Sequence, residues 1–138
     1  RALVALLAPA ALLLGTSFDA SGRRPGPGPT LRGGASADVQ SFRATLRGQK
    51  AILAPLTRGG NLPFRKLVAG YGANVSMGEM IFARMLLKGD KIERSRIRSA
   101  PNEVCYGVQI ACKSIDEGLK AGEMAREAGA SFVDLNCG

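Results

Sequence analysis

The sequence predicts an α/β fold built on a parallel sheet, and three observations carry that prediction. Short, continuously apolar runs alternate with helical patterns, as expected for strands covered on both faces. Strand starts recur every twenty to thirty residues over 51–138. Residues able to do chemistry sit where those runs end. The last two points favour a (β/α)₈ barrel over a doubly wound sheet, which is the structural alternative. A whole barrel takes roughly 250 residues. Residues 51–138 supply four strands, so the expectation is the N-terminal half of a TIM barrel, about four β/α units.

The elements follow in order. Residues 51–54 (Ala-Ile-Leu-Ala) form a short apolar run ended by Pro55, the first predicted strand. Asn61 and Pro63 mark a helix start, and Phe64, Leu67 and Val68 continue it at helical spacing. Residues 73–77 are the second strand and 81–88 the second helix, stopped by Gly89. Residues 91–101 read as a polar connection. Residues 104–110 are the third strand. Residues 115–128 are the third helix, with Ser114 as cap and Gly129 as stop. Residues 131–136 are the fourth strand.

Residues 1–50 read differently, as a leader without regular structure. An apolar run over 2–14, broken by Pro9, is shorter than the roughly 20 residues a membrane span needs. It fits a signal-type segment, and no stable membrane association is expected. A Pro/Gly-rich stretch over 21–29 follows, unfavourable for helix or sheet. An apolar segment followed by an acid-poor, Arg-rich stretch predicts targeting to a plastid or mitochondrion. Without targeting, the chain is read as cytoplasmic.

Net charge is +8. Residues 1–50 hold seven Lys/Arg and two Asp/Glu, against twelve and nine in 51–138. Much of the basicity therefore belongs to the leader. There is no histidine, which excludes a Ser-His-Asp triad and a His-containing zinc site within the chain. Three cysteines, Cys105, Cys112 and Cys137, lack metal spacing. They read as reduced thiols, with Cys105 and Cys112 buried and inert.

Several residues could carry chemistry. Pro55, Leu56 and Thr57 end the first strand, where backbone amides and an apolar side chain can contact a planar cofactor; an ordinary strand-ending proline is the plainer reading. Gln109 lies inside an apolar strand, and its amide is costly to bury unpaired. It can serve the edge of a flavin ring or the neighbouring backbone. Asn136 can read a pyrimidine edge, while the adjacent Asp134 is expected to make a structural bond to a loop. Glu79 either orients the site or caps the following helix, the cap being preferred. Lys88, Lys91, Arg94, Arg96 and Arg98 form a basic stretch, either solvated surface or an RNA contact. Gly70-Tyr71-Gly72 precedes a strand instead of opening a helix, so it is not a dinucleotide loop.

Leu53-Ala54-Pro55-Leu56-Thr57, Gly60-Asn61-Leu62-Pro63-Phe64-Arg65, Gly72-Ala73-Asn74, Gly78-Glu79-Met80, Gly107-Val108-Gln109 and Asp134-Leu135-Asn136-Cys137-Gly138 occur in this order. Together they resemble the tRNA-dihydrouridine synthase family, most closely its tRNA-dihydrouridine(47) branch. The resemblance covers residues 51–138. It implies an FMN-bearing TIM barrel that uses NAD(P)H as reductant and tRNA as substrate, with no metal. Hydride goes from reduced FMN to the uracil C5=C6 bond, and a cysteine acid delivers the proton. Pro55, Leu56, Thr57, Gln109 and Asn136 would contact FMN, and Asn136 would also meet the uracil. Asn136-Cys137-Gly138 fills the first three places of the family's Asn-x-Gly-Cys-Pro motif. The acid is thus expected immediately after Gly138, no catalytic residue is expected within the chain, and the chain alone is expected to be inactive and poorly stable. Two further readings are a flavin barrel acting on a free pyrimidine, like dihydroorotate dehydrogenases, and a non-enzymatic RNA-binding remnant.

Overall fold

The computed structural model describes residues 3–6 and 37–138. Its sheet contains β1 (Leu3–Leu6), β2 (Val75–Met77), β3 (Ile81–Phe82), β4 (Cys105–Ala111) and β5 (Phe132–Leu135). The helices are α1 (Ala37–Arg47), α2 (Leu62–Gly70), α3 (Ala83–Leu87), α4 (Lys91–Arg96) and α5 (Ile115–Glu127). β2, β4 and β5 are parallel neighbours in that order, and β1 runs antiparallel along the far edge of β5. The parallel strands thus lie side by side in chain order, with no switch point.

The first predicted strand shrinks to one parallel bridge, Leu53 opposite Ser76. Leu53 N donates to Val75 O and Met77 N to Leu53 O, each at 3.0 Å. Pro55 has no amide to extend this ladder. The second predicted helix also changes at its start. Ile81 and Phe82 pair in parallel with Ile110 and Ala111, and only from Ala83 does the chain turn helical. Met77 stands opposite Gly107 and Ile81 opposite Ile110, so four steps on one strand match three on β4. Glu79 and its neighbours therefore form a one-residue bulge, a device that re-aims a side chain.

Residues 91–101, expected as a polar connection, contain α4. Asp90 caps it, its Oδ1 accepting from Ile92 N at 2.9 Å and Glu93 N at 3.0 Å. The expected caps of α2 and α5 are present. Asn61 Oδ1 accepts from Phe64 N at 3.1 Å, and Ser114 Oγ accepts from Glu117 N at 3.2 Å. Gly129, at φ 94°, follows α5.

The two sheet faces carry separate cores. On one, Val108, Ile110, Val133 and Tyr106 meet Leu86 from α3 and Ala121 and Ala125 from α5. On the other, Val75, Cys105 and Phe132 pack beneath Phe42 and Leu46 of α1, with the Phe42 and Phe132 rings 5.0 Å apart. Next to the predicted leader, Leu3–Leu6 pairs with the sheet, and Ala37–Arg47 is a helix that covers part of it. The Pro/Gly-rich stretch and most of the apolar run lie outside the described residues.

Candidate functional site

Register brings the candidate polar residues together. Gln109 of β4 stands opposite Asp134 of β5, near the C-terminal ends of both strands. Gln109 Nε2 donates to Asp134 Oδ2 at 2.6 Å. Asn136 Nδ2 donates to Gln109 Oε1 at 3.3 Å, and Gly138 N donates to Asn136 Oδ1 at 3.0 Å. Asn136 is itself fixed by its backbone N–H, which donates to Ile110 O at 2.9 Å.

The direction of this chain has a simple cause. Gln109 turns its NH₂ towards Asp134, whose carboxyl oxygen accepts. The Gln109 carbonyl then faces Asn136, which must donate, leaving the Asn136 carbonyl to Gly138. Asp134 thus sets the orientation of two amides that are otherwise ambiguous by shape. It is 2% exposed, and its Oδ1 has no partner among the described residues. The expectation that Asp134 bonds to a loop is corrected: its partner is Gln109.

Pro55, Leu56 and Thr57 occupy the same end of the sheet, beyond the Leu53 bridge and two strand spacings from β4, roughly 10 Å away. Pro55 is half-buried, whereas Leu56 and Thr57 are exposed. Leu56 O closes the loop by accepting from Gly59 N at 3.1 Å and Gly60 N at 2.7 Å. Arg58 takes a φ of 60°, a left-handed conformation costly for a residue with a Cβ. Its N–H donates to Glu79 Oε2 at 3.3 Å. Glu79 also pairs with Arg96 Nε at 3.4 Å. It therefore ties loop to helix from the bulge and caps no helix, which settles the two sequence readings against the cap.

Arg65 is the main residue that sequence reasoning left without a role. It is 1% exposed, and each nitrogen of its guanidinium makes a hydrogen bond. Nε pairs with Glu103 Oε1 at 2.8 Å, Nη1 donates to Gly60 O at 2.8 Å, and Nη2 donates to Arg98 O at 2.6 Å. The guanidinium carbon lies 4.5 Å from the Tyr106 ring centre. Glu103 in turn accepts from Ser76 Oγ and Ala100 N, each at 2.6 Å. One planar fork thus joins the loop, β2 and the segment after α4, a geometry that lysine cannot supply. Phe64 and Leu67, which set the apolar spacing in the sequence, are exposed, so the inward turn of Arg65 had no local signal.

A cleft of about 370 Å³ lies beside this cluster, lined by Asn61, Arg65, Glu79, Ser95, Arg96 and Arg98 among others. Neither Gln109 nor Asn136 lines it. Burial pushes Tyr106 up to about 12, the nearby Arg65 charge opposing and Glu103 adding to the effect. Its hydroxyl donates to Arg96 O at 2.7 Å. Burial likewise raises the Cys105 thiol, against a hydrogen bond with Ser131. Cys105 is buried as expected, but Cys112 and Cys137 are exposed, and all three are free. Among the described residues no cluster of acids and cysteines could hold a metal, and no helix is long and apolar enough to cross a membrane.

The strand-end amides fit a flavin. After its internal bonds, Gln109 retains one N–H and one acceptor lone pair, and so does Asn136. A flavin ring edge offers alternating carbonyls and an N–H, complementary to such a pair. The unpartnered Asp134 Oδ1 adds an acceptor beside them.

Comparison with known proteins identifies the family. Residues 52–138 match the family model described as dihydrouridine synthase (Dus). A tRNA-dihydrouridine(47) synthase [NAD(P)(+)] of Coprinopsis cinerea is 44% identical over 92 residues, covering 64% of this chain and 14% of that protein. The Malassezia globosa protein of the same name is 44% identical over 90 residues, covering 62% and 12%. A "-like" protein of Arabidopsis thaliana is 41% identical over 90 residues, covering 64% and 13%. The chain thus spans about one seventh of the length of the curated relatives it matches. No solved structure matches it. The matched region includes every residue of the strand-end site, and the chain belongs to the dihydrouridine synthase family.

Proposed function

We propose that this chain contributes the first strands of a partial TIM barrel in a tRNA-dihydrouridine synthase, which reduces uridine in tRNA with NAD(P)H through FMN. The carrying observation is the Gln109–Asp134–Asn136 array at the C-terminal ends of adjacent parallel strands. Parallel strands in unbroken chain order support the barrel over the doubly wound sheet, and barrel enzymes place their chemistry at this end. The names of the relatives supply the substrate, the position 47 and the nicotinamide reductant.

The residues divide the work simply. Gln109 and Asn136 offer paired donors and acceptors to a ring edge, and Asp134 keeps them oriented. The half-buried Pro55 and exposed Leu56 give an apolar ledge across the sheet end, with Thr57 beside it. Glu79 and Arg65 hold that ledge in place from below. Bound FMN would supply the hydride equivalent for the C5=C6 bond, a step outside side-chain chemistry. A uridine in folded tRNA must leave its stack to reach such a site. Asn136, exposed and next to Gln109, is the residue proposed to meet it.

The test is to disrupt the gene and measure dihydrouridine in purified tRNA by mass spectrometry, position 47 first. Loss of dihydrouridine at one position is expected; an unchanged profile contradicts the reading. The targeting role of residues 1–50 belongs to the same proposal. A fluorescent reporter fused to them should enter an organelle, and a diffuse cytosolic signal contradicts it.

A further inference from the structure

Residues 84–98 carry six Lys/Arg and two Asp/Glu, and the fold sorts these charges. Asp90 is spent on capping α4. Glu93 turns inward, 5% exposed, pairing with Arg96 Nη1 at 3.0 Å and accepting from Phe82 N at 3.2 Å. Arg84, Lys88, Lys91, Arg94 and Arg98 are exposed, and among the described residues none of their side chains forms an ion pair. Lys91 and Arg94 lie one turn apart on α4, and Arg98 follows two residues beyond its end. Like charges at such spacing repel, so this arrangement does not help the helix itself.

The segment that carries the stripe is also tied to the bulge and to the loop after Leu53. Arg96 reaches Glu79 in the bulge, and Glu79 accepts from Arg58 in the loop after Leu53. The carbonyls of Arg96 and Arg98 accept from Tyr106 Oη at 2.7 Å and Arg65 Nη2 at 2.6 Å. The backbone that bears the cations is therefore pinned to the rim of the sheet. The cleft lined by Asn61, Ser95 and Arg98 opens between the stripe and the start of α2.

We propose that Lys91, Arg94 and Arg98 form a docking surface for the sugar-phosphate backbone of RNA, holding the strand so that a neighbouring base reaches the strand ends. A row of unpaired cations suits a row of phosphates, whose binding releases counterions. The base-delivery part rests on the proposed function; the backbone contact does not.

The experiment is fluorescence polarisation of labelled tRNA with the full chain at several salt concentrations between 50 and 200 mM. The triple variant Lys91→Ser/Arg94→Ser/Arg98→Ser is compared with a control of equal charge loss, Lys50→Ser/Lys113→Ser/Lys120→Ser. The stripe variant should bind at least tenfold more weakly, with a salt slope smaller by about two to three, or roughly one per lost contact. The control should bind like the parent. Equal weakening in both variants, or no tRNA binding by the parent, overturns the proposal. So does binding of an acidic polypeptide with the same dependence on the stripe. FMN binding is followed in the same samples. If tRNA binding depends on the stripe while FMN does not bind, the RNA surface stands and the flavin reading falls.

Discussion

Gln109 and Asp134 face one another across adjacent parallel strands, joined by a 2.6 Å hydrogen bond from Nε2 to Oδ2. A buried carboxylate beside a glutamine fixes which end of the amide points where. In the proposed function, with FMN held at these strand ends, this bond gains a functional use. Asp134→Leu should weaken FMN binding by about 10- to 100-fold, about 1–3 kcal/mol for an orphaned amide. Asp134→Asn keeps the shape but can either donate or accept, so a smaller loss is expected. Equilibrium dialysis gives the affinities, and side-chain amide NMR signals report whether Gln109 remains fixed.

The Arg65–Glu103 pair is buried on both sides, and breaking one partner leaves a charge without compensation. Arg65→Met or Glu103→Leu should cost about 3–5 kcal/mol in urea unfolding. Arg65→Lys should recover only part of this, because one ammonium cannot reach Glu103, Gly60 O and Arg98 O together. A lysine variant as stable as the parent contradicts the fork as the source of the effect.

Tyr106 ties pH to stability. Its folded pKa of about 12 lies above the ordinary value of 10.0. The folded state therefore holds the proton more tightly, and ν_U − ν_N is negative between these values. The contribution is complete below pH 10 and is lost as pH rises towards 12, by about 2–3 kcal/mol at most. Urea unfolding across this range should show the decline, and Tyr106→Phe should flatten it.

Gly107 is the glycine of the Gly-Val-Gln run, and its lack of a side chain is structural. A Cβ there would come within 2.2 to 2.8 Å of the Phe132 ring. Gly107→Ala should destabilise by about 1–3 kcal/mol or more, and Phe132→Leu in the same chain should recover a good part of it. Additive losses in the double variant contradict the clash.

Local chemistry made much of this legible in the sequence. Asn61, Ser114 and Gly129 act within one helical turn, so their roles follow from nearest neighbours. The apolar runs around Val108 and Val133 read correctly because both strand faces are covered. What escaped was set by distant residues. The bulge at Glu79 exists only relative to β4, so its link to Arg58 and Arg96 had no local signature. Arg65 looked like helix surface because its partners lie 5, 33 and 38 positions away. Helix α4 had a local signal, Asp90 followed by Glu93, but its polar composition read as loop. Helix α1 carried Phe42 and Leu46 one turn apart, obscured by the Pro/Gly-rich stretch before it. Gln109 and Asn136 were recognisable as candidates, while the role of Asp134 between them needed the strand register.

The most direct single measurement is a titration of the full chain with FMN, read by flavin fluorescence, beside Gln109→Ala. The account predicts saturable binding that the substitution weakens by at least tenfold. Absence of saturable binding, or equal affinity in the two proteins, contradicts a flavin site at these strand ends.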